Sequence, residues 1–89
     1  MPRVSAFYGI VITMYFNEGL HLWRPHFHAE SAGDWASFDI ESLELIAGHL
    51  PRRATKLVLR WARLHQEEFG RNWDLLRSTG KVLPIAPLK

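Results

Sequence analysis

Apolar residues occupy nearly every position from 7 to 16, alternate with polar ones from 26 to 40, and recur every three or four positions from 54 onward. The first run, rich in β-branched and aromatic residues, predicts a strand covered on both faces. Asn17-Glu18-Gly19 ends it, and a loop follows that exposes Leu22 and Trp23. Pro25 marks the entry to a second strand over 26–31. Ala32-Gly33 has the length of a two-residue hairpin loop, leading into a third strand over 34–40. Glu41-Ser42 turns the chain into a fourth strand over 43–47, which Gly48 closes.

The alternation fixes a register for the central hairpin. If Ser31 pairs with Asp34 around the loop, Glu30 lies opposite Trp35, His28 opposite Ser37 and His26 opposite Asp39. Side chains two apart share a face, so Glu30, Trp35, His28, Ser37, His26 and Asp39 form one side. Phe27, Ala29, Ala36, Phe38 and Ile40 form the other, apolar side. A slip of one residue would mix the two sets. The apolar side is expected to face the helix, and the histidine side solvent, a groove or a partner.

From Pro51 the period changes to that of a helix. Ala54, Leu57, Val58, Trp61 and Leu64 make an apolar stripe that His65 and Glu68 continue. Arg53, Lys56, Arg60 and Arg63 lie on the opposite side, where Glu67 is placed to pair with Arg63. Gly70 is expected to end or weaken the helix, and Asn72 to cap a second stretch over 73–78. Gly80 stops it, and residues 81–89, with Pro84 and Pro87, are expected to be extended. The pattern predicts an α+β fold: a four-stranded, mostly antiparallel sheet packed on a long C-terminal helix or broken helix pair.

The 89 residues suffice for one domain, and four Trp and five Phe make a small core adequate. The absence of cysteine excludes a disulfide framework, a thiolate metal site and a cysteine nucleophile. It also fits a cytoplasmic location. The run over 6–16 is too short to cross a bilayer as a helix, so no membrane is expected as a partner. A net charge of +2 permits RNA or an acidic protein as partner without requiring either.

The chemistry concentrates in Pro25-His26-Phe27-His28. His26 and His28 project the same way, roughly 7 Å apart along a strand, and the register adds Asp39 across the hairpin. Two imidazoles and a carboxylate can perform acid–base chemistry near neutral pH or hold a divalent metal. Alternatively, His26 and His28 are half-buried strand residues that bond Asp39 and a backbone carbonyl. His65 with Glu68 reads either as an addition to that cluster or as a satisfied core histidine. The basic stripe reads as a phosphate track or as a solvated helix face. Trp23 beside Arg24 can stack on a base, dock on a protein or fold over the sheet.

Met1-Pro2-Arg3-Val4-Ser5, Tyr8-Gly9-Ile10-Val11-Ile12, Pro25-His26-Phe27-His28, Phe38-Asp39-Ile40, Leu50-Pro51-Arg52-Arg53-Ala54, Trp61, Leu64-His65 and Asn72-Trp73 together resemble the bacterial family called domain of unknown function 4160. Its members are often encoded beside a second small family, domain of unknown function 2442, an arrangement that implies toxin–antitoxin pairs. The loop before Pro25 is longer here than is usual in the family, with His21 in the place of an earlier family histidine.

The resemblance implies a toxin-like, RNA-directed component of a two-gene module. In that reading His26 and His28 are the acid–base pair, Asp39 orients them, and Arg52, Arg53 and Lys56 bind phosphate, with Trp23 and Arg24 as further binding residues. The alternative is a non-enzymatic module that binds the neighbouring gene's product or a second copy of itself. In that case the histidines are structural, or they hold a divalent metal together with Asp39.

Overall fold

The computed structural model describes residues 3–14 and 24–89. Five strands form one antiparallel meander in chain order: β1 (Arg3–Phe7), β2 (Ile10–Thr13), β3 (His26–Ser31), β4 (Asp34–Asp39) and β5 (Leu45–Gly48). Two helices follow, α1 (Arg52–Leu64) and α2 (Gln66–Thr79). The expected α+β class holds, with one strand more than the pattern implied.

The extra strand comes from the first apolar run. Tyr8 and Gly9 both adopt positive φ, 49° and 77°, which is the geometry of a tight hairpin turn. The run therefore folds back on itself as β1 and β2, pairing Phe7 with Ile10 and Ala6 with Val11. Residues 15 and 16 of the expected strand, the 17–19 breaker and the loop with His21, Leu22 and Trp23 lie outside the described residues.

The β3–β4 hairpin has the register read from the alternation, from Ser31 opposite Asp34 to His26 opposite Asp39. Ala32 and Gly33 form its turn at φ 51° and 86°. Asparagine tolerates this backbone region better than alanine. Ala32→Asn is therefore expected to raise stability by about 0.5 kcal/mol, read from the urea midpoint. The fourth predicted strand, over 43–47, appears as β5, shifted toward Gly48. Leu43, at φ 61°, belongs to the preceding turn. Glycine is needed at position 48, where a Cβ would collide with the Trp35 carbonyl oxygen.

One sheet face carries Ile10, Ile12, Phe27, Ala29, Ala36 and Phe38, each no more than 2% exposed. Both helices pack on it. From α1 come Ala54, Val58, Trp61 and Ala62, and from α2 Phe69 and Leu76, while Trp73 of α2 reaches the ring of His26. The Phe27 ring stacks on Phe69 at 4.5 Å, and Phe7 meets Trp61 at 5.0 Å.

The helix breaks at His65, not at Gly70. His65 leaves helical geometry at φ −126°, ψ 22°, and Gly70 lies inside α2. No residue from 63 to 66 breaks a helix by propensity. The Gln66 side chain, however, donates to the carbonyls of Ile40 and Glu41, both at 3.0 Å, which ties the junction to the β4–β5 turn. The redirected helix leaves Leu64 70% exposed, contrary to its expected place in the buried stripe. Asn72 is not a cap. It sits inside α2, 2% exposed, and bonds the backbone of Leu83.

Candidate functional site

The polar face of the hairpin is built as two cross-strand rows. His28 lies between Thr13 on β2 and Ser37 on β4, and His26 lies opposite Asp39. The histidine rings approach to 5.0 Å between centroids, edge to face. The pairing read from the sequence is therefore present, but its surroundings are not those expected. His26 is fully buried, with the Trp73 ring 5.2 Å away. His28 is 9% exposed, Asp39 8% and Ser37 0%. Only the loop end of this face, at Glu30 and Trp35, is open.

His26 Nδ1–H donates to the Arg24 carbonyl at 2.7 Å. That bond places a proton on Nδ1. A backbone carbonyl thus does the orienting that the sequence reading gave to Asp39. The Asp39 carboxylate instead serves the chain around it. One oxygen accepts from the Glu41 and Ser42 N–H groups at 2.7 and 2.9 Å, closing the β4–β5 turn. The other takes two bonds from the Arg24 guanidinium, both at 2.9 Å. Ile40 N–H donates to the Pro25 carbonyl. Arg24 and Pro25 are consequently clamped through side chain and backbone, which accounts physically for Arg-Pro-His-Phe-His and Phe-Asp-Ile acting as one unit.

Burial disfavours the Asp39 charge. The Ser42 N–H, the Arg24 guanidinium and the Glu41 N–H outweigh it and hold the carboxyl below its ordinary value. With the folded pKa depressed, the contribution is complete above the unfolded value of about 3.9 and fades as pH falls through the folded one. Wild-type stability is therefore expected to drop below about pH 4. Asp39→Asn should cost about 1–3 kcal/mol at neutral pH and flatten that acid limb, as measured by urea unfolding across pH.

Both Asp39 oxygens being engaged, the ligand set His26, His28 and Asp39 lacks a free carboxylate. Among the described residues no group of three His, Asp or Glu side chains is placed to hold a metal ion. The buried Ser37 hydroxyl beside His28 has no hydrogen-bond partner among the described residues. His65 does not join the strand histidines. Its Nδ1 bonds Glu68 and its ring packs 5.4 Å from Trp61, as a satisfied histidine at the helix junction.

The open, charged surface lies on α1. Arg52, Arg53, Lys56, Arg60 and Arg63 are all exposed, and at 100° per residue they fall within an arc of roughly 100°. The helix contains no acidic residue. Among the described residues none of the five enters an ion pair, Arg63 with Glu67 included. At the start of this stripe, Arg53 lines a cleft of about 300 Å³ with Tyr8, Ile10, Ser31, Pro51, Ala54 and Leu57. Tyr8, 61% exposed, is the site residue that sequence reasoning missed. Reading Gly9 as a turn glycine would have placed Tyr8 at a hairpin tip rather than inside a strand.

A five-stranded meander with a helix pair on its apolar face and a buried His-x-His row on the other defines a small α+β domain. The chain belongs to the family Domain of unknown function (DUF4160), whose model matches residues 9–74. No curated protein and no solved structure matches the chain. Among the described residues no helix is long and apolar enough to cross a membrane.

Proposed function

We propose that the protein is the RNA-directed component of a cytoplasmic two-gene module of the toxin–antitoxin type, and that it holds RNA on the basic face of α1. The observation that carries this reading is the row of five exposed cations with no acid on their helix and no ion pair among the described residues. A solvated helix face ordinarily mixes both signs. An uncompensated row about 16 Å long follows several phosphates of a single strand. Tyr8 beside Arg53 adds an exposed ring on which a base can stack, and the cleft below it has room for one base.

In this reading the histidines support the sheet that carries α1 and Tyr8. A general base must come within hydrogen-bond reach of the proton it removes, and fully buried His26 meets no substrate atom in this arrangement. The test is expression of the chain in a bacterial host, alone and with the product of the neighbouring gene, followed by growth and by RNA recovered on the purified protein. Growth arrest with bound RNA, both relieved by the neighbour, is expected. Normal growth with no RNA bound removes the proposal.

A further inference from the structure

The C-terminal segment lies in a groove whose contacts resemble recognition of a peptide rather than ordinary core packing. The Asn72 amide bonds the Leu83 backbone in both directions, donating to its carbonyl at 2.8 Å and accepting from its N–H at 2.9 Å. Trp61 Nε1–H donates to the Ala86 carbonyl at 2.7 Å. Ile85 N–H donates to the Val4 carbonyl on the edge strand β1, and the Ile85 side chain is buried, 4% exposed. The polar contacts all go to main-chain atoms of the segment, while the Leu83 side chain is 62% exposed. Such a groove reads an extended backbone with one branched apolar side chain. It is assembled from α1, α2 and β1 without help from the segment's own covalent connection.

That connection is short. From Asn72 to Gly80, α2 rises about 12 Å at 1.5 Å per residue. The return from Gly80 to Leu83 has three steps, which reach about 10–11 Å when fully extended. The hinge therefore has little slack, and a taut hinge favours exchange of an element between copies. We infer that residues 81–89 also fill this groove in trans, so that two copies of the chain form a dimer by exchanging their C-terminal segments. The occupant is a second copy because the segment that fits the groove, contact by contact, is already part of this chain.

The test is mass in solution by light scattering over a range of concentrations, for four forms of the full chain. Wild type is expected to show a monomer–dimer equilibrium. Deleting Lys81 and Val82 leaves a single step between Gly80 and Leu83, so the segment cannot reach its own Asn72 and the dimer should predominate. Inserting four glycines after Gly80 should shift the chain to monomer. Ile85→Asp should abolish the dimer. Wild type that stays monomeric at every concentration overturns the proposal, and so does a dimer that survives Ile85→Asp. If the deletion variant fails to fold, mixing mass-tagged and untagged wild-type chains decides the matter: mixed dimers in native mass spectrometry support exchange, and their absence contradicts it.

Discussion

Reversing three charges on α1, with Arg53→Glu, Lys56→Glu and Arg60→Glu together, is expected to weaken RNA binding by about 100-fold or more, roughly 3 kcal/mol, without unfolding the chain. The direction follows from the exposure of all three side chains and from their lack of ion-pair partners among the described residues. Nothing that holds the helix in place is lost. Its packing comes from Ala54, Val58, Trp61 and Ala62 on the opposite side. Acidic residues near its start would also interact favourably with the helix dipole, where two arginines now stand. Fluorescence anisotropy with a short labelled single-stranded RNA reads the affinity, and circular dichroism checks the fold. If the triple variant binds as wild type does, α1 is not the RNA surface.

The second large effect is expected at His26, and it is an effect on stability. Truncating a fully buried side chain that packs on Trp73 and His28 and donates to the Arg24 carbonyl leaves a cavity and an unsatisfied acceptor. His26→Ala should therefore cost about 2–4 kcal/mol. In a domain of this size that lowers Tm by about 10–25 °C. His26→Asn keeps an amide N–H in place of Nδ1–H and should recover part of the loss. This pair separates a supporting role from a catalytic one. A folded His26→Asn that still binds RNA and arrests growth agrees with the supporting role. A folded His26→Asn with wild-type RNA binding and no effect on growth or RNA integrity would return acid–base chemistry to His26.

The central hairpin was legible because its two signals are local. Ala32-Gly33 sets the loop length, and the Phe27/Ala29 alternation against Ala36/Phe38 fixes which side is apolar. The burial of the histidine side was not legible. Alternation shows that His26, His28, Ser37 and Asp39 share a face, but not what lies against that face. Asp39 was correctly placed and its partner was not. The carboxylate is bonded by the turn that follows it and by Arg24, and a pattern of residue types does not distinguish that arrangement from a bond to His26. The β1–β2 hairpin was hidden because its turn begins with an aromatic residue, so Tyr8-Gly9 read as part of an apolar strand. The break at His65 has no local cause in the sequence. It arises where Gln66 reaches across to Ile40 and Glu41. The position of the basic stripe was read correctly from helical spacing, while the lack of compensating ion pairs among the described residues required the structure.

The measurement that bears most directly on the α1 surface is the salt dependence of RNA affinity for the wild-type chain. Neutralising four or five phosphates of a single strand releases their counterions, so a plot of log K against log salt concentration is expected to fall with a slope of about −3. The triple charge-reversal variant should show a much shallower one. Tight binding with a slope near zero, or no saturable binding at low salt, would contradict the assignment of α1 as the RNA-binding face.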